Sequence, residues 1–526
     1  MIKRVLLCLS LLAVVVSAVD KEPTDTLKIK GRLNAYIQNV DVQGESNTAR
    51  EEGFTHVEEL NIGLSGPLKD GDAGVEMRGR NTNDERIQKE SAELLYLHSY
   101  FKNKIWSLEA GDVAASLNPY IFGGSLKGLK ARYKSPKKEK TWNYMIIGGV
   151  KKASWKELFK DVQNEQPTAY SGAVEAKYIY ARAKEITVNV AAYKDDLTTG
   201  SANSSISGKE GFGVGLNGKW RFNRYITLKG RCAITDATND LRNNKPSKTQ
   251  NAFYIKLLTK PILKSLKSNF IYERVDSDFI SLGGSGAKDK EQIQNINSLK
   301  ISKRLRANLS LKANRDNLNG ALNATQYIYY EYLRFNYYPN FLKRGNINFK
   351  FSNKDIQGRD ADNNRQIAGI DFNLRKKSGW RYGGGVEYND YTDHNESASS
   401  QISTIYKVII GYKQKLNKNR FYRATINTNY QDIYHNQDKI SFKIDAGYTH
   451  DKQLSMDLSY IINDTNYENS NDTQNSVSQF RTSYKIDTTG AKIVRLLLEK
   501  RDIFVDNDKA NSYSEYMGKL SFAMNF

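Results

Sequence analysis

From residue 27 onward most of this chain alternates between apolar and polar side chains with a period of two. That period dictates extended strands whose two faces meet different solvents. In the first such segment Leu27, Ile29, Gly31, Leu33, Ala35 and Ile37 alternate with Lys28, Lys30, Arg32, Asn34, Tyr36 and Gln38. Ile226, Leu228, Gly230, Cys232 and Ile234 stand in the same way against Thr227, Lys229, Arg231, Ala233 and Thr235, and Leu454, Met456, Leu458, Tyr460 and Ile462 repeat the apolar phase. The mean hydropathy of -0.64 is that of a water-soluble chain. Averaging over two opposite faces, however, hides the apolar row that a lipid-facing sheet needs.

Segments of this kind number about 26 (range roughly 22–26) at a spacing of about twenty residues, which suits membrane-crossing strands of roughly 9–11 residues plus a connection. The connections alternate in length. Lys102–Lys104, Asn223–Tyr225 and Leu305–Asn308 are short, whereas 41–53, 195–210, 236–249 and 276–292 are long and polar. Such asymmetry matches short periplasmic turns and longer extracellular loops, and an even strand number leaves both termini periplasmic. The expected architecture is all-β: a single large transmembrane antiparallel barrel over 27–526. Trp106, Trp142, Trp220 and Trp380 fall at strand ends next to short turns, where amphipathic rings would form a girdle at the periplasmic interface. No apolar run after residue 18 is long enough for a helical span, and Cys232 as the sole cysteine beyond the leader rules out an intrachain disulfide.

Residues 1–18 read as a secretory signal peptide: Lys3 and Arg4, then an apolar run from Val5 to Val16 broken only by Ser10, then the small-residue end Val16-Ser17-Ala18. Residues 19–26 would be a short periplasmic segment, too short for a plug or an energy-coupling domain. Losing the leader lowers the formal charge of +21 by two, so the exported chain stays strongly basic. At the other end Gly518, Leu520, Phe522, Met524 and Phe526 alternate with polar or small residues and finish on an aromatic. This resembles the final strand of bacterial outer-membrane β-barrel proteins of the large porin-like kind. The resemblance implies the outer membrane of a Gram-negative cell, contact with its lipid and lipopolysaccharide, and Phe526 as the residue recognised by the barrel-assembly machinery.

Placing the polar phase inside puts Lys28, Lys30, Arg32, Arg78, Arg80, Lys229, Arg231, Arg381, Arg423, Lys443 and Arg495 in or at the rim of the lumen, with Lys219, Arg221, Arg365 and Arg501 in the same phase. Fewer acidic residues share it, among them Glu76, Glu109, Asp371, Glu387, Asp445, Asp457 and Glu499, so the interior is expected to favour anions. Cross-strand ion pairs that only brace the wall are the competing reading. In the loop segment 154–163, Trp155, Leu158, Phe159 and Val162 recur at helical spacing behind a Ser154/Glu157 capping box, which predicts a short amphipathic helix able to constrict the mouth or to lie on the loops. A barrel of about 26 strands encloses a wide lumen, so inward loops or a partner, such as a periplasmic protein or lipoprotein, should fill part of it.

The five histidines are dispersed without metal spacing, and neither a nucleotide motif nor a C-x-x-C pair occurs, so no catalytic, metal or cofactor site is expected. The Lys and Arg residues alternate along strands rather than clustering in a recognition element, which argues against nucleic acid as a partner. The sequence points to a passive channel or translocation conduit. A sleeve around a partner, whether an electron-conduit cytochrome or an export component, and a surface adhesin remain the alternatives.

Overall fold

The computed structural model describes residues 28–44, 52–151, 155, 168–199 and 207–526, apart from gaps at 69, 89–90, 261–264, 282–287, 321–324, 343, 359–360, 396–399, 418, 434–436, 452, 468–470, 488–490, 507 and 509–510. The expected leader 1–18 and the segment 19–26 lie outside the described residues. Among the described residues 26 strands form one sheet in which each strand is antiparallel to its neighbours in sequence. The first, β1 (Lys28–Gly44), also pairs with the last, β26 (Tyr513–Asn525), from Arg32 opposite Asn525 to Gly44 opposite Tyr513, so the sheet closes into a barrel. The final residue completes the seam. Phe526 N–H donates to Gly31 O at 2.9 Å, and Gly31 N–H donates to Phe526 O at 2.7 Å.

The strands turn where short polar side chains can replace the ladder locally. Asn103 Oδ1 accepts the amides of Ile105 and Trp106, Asn223 Oδ1 those of Tyr225 and Ile226, and Asn417 Oδ1 those of Asn419 and Arg420. Each is a side chain mimicking a backbone turn. The expected long connections are each trimmed by up to four residues at an end, as where β1 runs on to Gly44, and one short turn is displaced: placed at Leu305–Asn308, it lies at 301–304, and Leu305 already begins the next strand, Leu305–Arg315. Ser302 decides this, because its hydroxyl accepts the amides of Arg304 and Leu305 and so forces the reversal four residues earlier.

The alternation sorts into two faces as expected. On the outward face Leu129, Ile146, Ile234 and Leu458 are each more than half exposed, whereas Val40, Ile147, Ala191 and Ala233 on the inward face are almost completely buried. A large aliphatic side chain left in water forgoes about 1.5–3 kcal/mol, so outward rows of them are stable only where the surrounding solvent is hydrocarbon. At the short-turn edge the rings gather outward. Trp106 packs on Tyr133 at 5.1 Å, Trp142 on Tyr178 at 5.0 Å, Trp220 stacks on Tyr180 at 6.0 Å and Trp380 packs on Tyr412 at 4.7 Å. Phe526 itself lies over the Cα of Gly31, where a Cβ would overlap its ring.

The seam yields a graded prediction. Removing Phe526 deletes two backbone hydrogen bonds, a loss of roughly 1–3 kcal/mol, whereas Phe526→Ala keeps both and loses only the ring contact. Heat-modifiable migration in detergent should therefore persist to the highest temperature in the parent, to a lower one in Phe526→Ala and to the lowest after deletion. Equal midpoints would mean that the terminal residue adds nothing to closure.

Candidate functional site

The lumen is shaped by a hairpin that leaves the wall. β4 (Ala92–Asn103) and β5 (Trp106–Ser116) pair only from Lys102 opposite Ser107 to His98 opposite Gly111. β6 (Gly123–Lys134) and β7 (Thr141–Lys151) pair only as far as Lys127 opposite Val150. Beyond those points Val113–Ser116 and Gly123–Leu126 pair with each other alone. Gly111, at φ 98°, supplies the bend, since that left-handed backbone is open to glycine at no steric cost.

The tip of this hairpin, Leu117–Phe122, is packed inside. Asn118 organises it: its backbone oxygen accepts the amides of Ile121 and Phe122, and its Oδ1 accepts that of Tyr120. Leu117, Tyr120, Ile121 and Phe122 are buried in one apolar cluster with Met145, Ile147, Ala173, Ala191, Ala233, Ala252, Val275 and Phe279. Two polar contacts fix where the tip lands. Asn118 Nδ2 donates to Cys232 O at 2.9 Å, and the Tyr120 hydroxyl donates to Glu273 Oε1 at 2.7 Å while Lys290 holds the other carboxylate oxygen at 2.8 Å. The receiving wall is built of small residues for this reason. On β10 (Glu210–Arg221) a Cβ at Gly215 would lie 2.7 Å from Asn118 Nδ2, and one at Gly213 3.1 Å from a methyl of Ile121.

Where the hairpin departs, one carboxylate stands in for the missing strand. Asp112 accepts the amide of Leu97 at 2.7 Å and the Trp155 indole N–H at 2.6 Å, and it pairs with Lys127 Nζ at 2.9 Å, while Lys127 lies 5.1 Å from the Trp155 ring centre. Thus Trp155, expected on a loop helix, sits at the root of the hairpin. Leu158, Phe159 and Val162, the rest of that expected helix, lie outside the described residues.

The register places every expected basic residue in the inward phase, spread around the circumference rather than gathered. Lys28, Lys30 and Arg32 share the face of buried Val40, and Arg32 stands opposite Asn61, which stands opposite Arg78. Arg80 is held by Glu59 at 2.5 Å, Arg423 by Asp457 at 2.5 Å and Lys443 by Asp445 at 3.2 Å. Arg231 lies 5.1 Å from the ring of Tyr254, Lys229 stands opposite Lys219, Arg381 bonds Asn373 at 3.3 Å and Arg495 stands opposite Ser521. Sequence reasoning missed the hairpin tip, and it also missed inward Lys312, Arg334, Lys350, Lys354 and Lys407. Two signals existed: four large side chains, Leu117, Tyr120, Ile121 and Phe122, at a connection where the other long loops are polar, and glycine or alanine at the successive inward positions Gly213, Gly215, Ala233 and Ala252, where much of the inward phase elsewhere carries long polar side chains.

If the tip is seated as described, a cysteine at Ile121 in a Cys232→Ala background will be shielded from a membrane-impermeant maleimide. Adding Gly215→Val, which crowds Asn118, should raise its labelling rate by about tenfold or more, the equivalent of roughly 1.4 kcal/mol of lost docking. Fast labelling before the second substitution would show that the tip is not buried.

No family model matches this chain and no curated protein matches it. Among solved structures it is similar to the P pilus usher (PapC) translocation pore, with a TM-score of 0.39 at 10% identity over 95% of this chain and 99% of that one. It is also similar to the outer membrane protein opdK from Pseudomonas aeruginosa, with a TM-score of 0.30 at 10% identity over 61% of this chain and 94% of that one. A third similar structure is the siderophore receptor PirA from the same organism, with a TM-score of 0.38 at 9% identity over 96% of this chain and 81% of that one.

Proposed function

We propose that this chain is a passive outer-membrane conduit that favours anions. One observation carries the reading: a closed barrel with an apolar outer face holds an inner face on which cations outnumber carboxylates. Several inward carboxylates are already matched, Glu387 by both Lys350 and Lys407, Glu109 by Lys130, and Glu185 by Lys177. The cations in excess of them set the potential along the path, and low-dielectric walls focus it. Selection then comes from that charge together with the narrowing imposed by the inward hairpin.

The hairpin also bears on the alternatives. A wide barrel needs something in its lumen, and a packed segment of the chain itself meets part of that need without a partner. This supports an independent conduit over a sleeve for a haem protein or export component, and over a barrel whose loops alone are the working part. In the same reading the termini are periplasmic, the girdle of Trp106, Trp142, Trp220 and Trp380 marks the inner interface, and Phe526 is read by the assembly machinery.

The test is electrical. In a planar bilayer with a potassium chloride gradient, the purified protein should conduct and its zero-current potential should have the sign of chloride preference. Arg381→Glu together with Arg423→Glu should move that potential toward cations, and more so at low salt, where the Debye length reaches about 30 Å at 0.01 M. Cation preference in the parent protein would overturn the anion reading, and absence of any conductance would overturn the conduit.

A further inference from the structure

Beyond the wall covered by the hairpin tip, four strands carry a band of cations of which Lys350 alone, among the described residues, is matched by a carboxylate. On β15 (Leu305–Arg315), β16 (Tyr327–Tyr337), β17 (Gly345–Gln357) and β18 (Asn363–Arg375) the register aligns Lys312, Tyr330, Lys354 and Arg365 in one inward row. A second inward row holds Ser310, Tyr332 and Ser352, and a third Asn308, Arg334 and Lys350. With strands about 4.8 Å apart the first row spans roughly 14 Å, and successive rows lie about 7 Å apart.

The charges in this band are largely unspent. Among the described residues Lys312, Arg334 and Lys354 form no ion pair, and Arg365 Nε bonds only the neutral Asn389 at 2.7 Å. Lys350 reaches across Gly369, where a Cβ would come 2.9 Å from its Cε, to share Glu387 with Lys407 at 2.6 and 3.1 Å. Between the cations stand two parallel phenol rings, Tyr330 and Tyr332, with centres 6.5 Å apart and planes 7° from parallel. Neutral hydrogen-bonding groups, Ser310, Ser352, Asn308 and Asn336, share the inward face around them with Ile328, Ile356 and Ile367.

We propose that this band is a binding track for an acidic polysaccharide strand, an inference that rests on the conduit reading and names its cargo. Cations spread along a wall suit spaced charges on one chain, whereas a single small anion is held by donors that converge on a point. Hydroxyl and amide groups between the cations suit polyhydroxylated units, and the Tyr faces suit the C–H faces of sugar rings. A nucleic acid strand would call for an aromatic platform under each successive base, and this band offers two rings among many hydroxyls and amides.

The experiment is calorimetric titration of the full-length protein in detergent with an oligogalacturonate, a neutral maltooligosaccharide of equal length, inorganic sulfate and a single-stranded oligonucleotide. The uronate should bind at least about tenfold more tightly than the other three. Lys312→Gln with Lys354→Gln should weaken it by about tenfold or more, since both charge-assisted bonds are lost, and Lys312→Arg with Lys354→Arg should retain it. Tyr330→Leu with Tyr332→Leu should weaken the uronate while leaving heat-modifiable migration intact. Sulfate or oligonucleotide binding as tight as the uronate, or full affinity in the glutamine variant, overturns the track. Conductance of the same preparations reports separately on the conduit: a conducting protein that does not bind uronate refutes the track alone, and a uronate-binding protein that does not conduct refutes the conduit alone.

Discussion

Everything in this architecture depends on the refusal of hydrocarbon to hydrogen-bond a peptide group. An amide left open there costs several kcal/mol, so a sheet that crosses the bilayer has to end where it began. That single demand explains why the first and last strands meet, why Phe526 is itself part of the ladder and why the chain alternates side chains so regularly. Where the demand is relaxed, a side chain steps in: Asp112 satisfies the Leu97 amide that β5 has abandoned.

The hairpin exchanges wall for lumen. Its apolar tip would be unstable in a water-filled pore, and it is accepted only because β10 presents Gly213 and Gly215 and the neighbouring strands present Ala191, Ala233 and Ala252. Small residues on the inner wall therefore mark the stretch that the tip covers. Lys312, Arg334, Lys354 and Arg365 mark a stretch that stays open to solvent and solute. One segment of backbone thus sets both the width of the path and which residues line it.

The barrel was legible in the sequence because its cause is local: a period of two is visible within any ten residues, as in Leu27 to Gln38, and register follows from it once turns are placed. Strand number and the inward placement of Arg32, Arg80, Arg231 and Arg423 follow from the same phase. The hairpin was not legible because its cause is distant. Leu117 to Phe122 are apolar on account of a wall more than a hundred residues later in the chain, where Cys232 and Glu273 receive Asn118 and Tyr120. The cations of β15–β17 escaped for a different reason. Their outward phase includes Glu331 and Asn353 alongside Leu311, which blurs the alternation that would have assigned Lys312 and Lys354 to the lumen.

The uneven strength of the seams has a mechanical consequence. The junction between the chain ends is zipped at thirteen positions, whereas β4 and β5 are zipped at five. Lateral tension in the bilayer would therefore tear this cylinder first within a continuous stretch of chain, while the place where two free ends meet stays shut. The topological cut and the weakest line of the wall are different lines, roughly four strands apart.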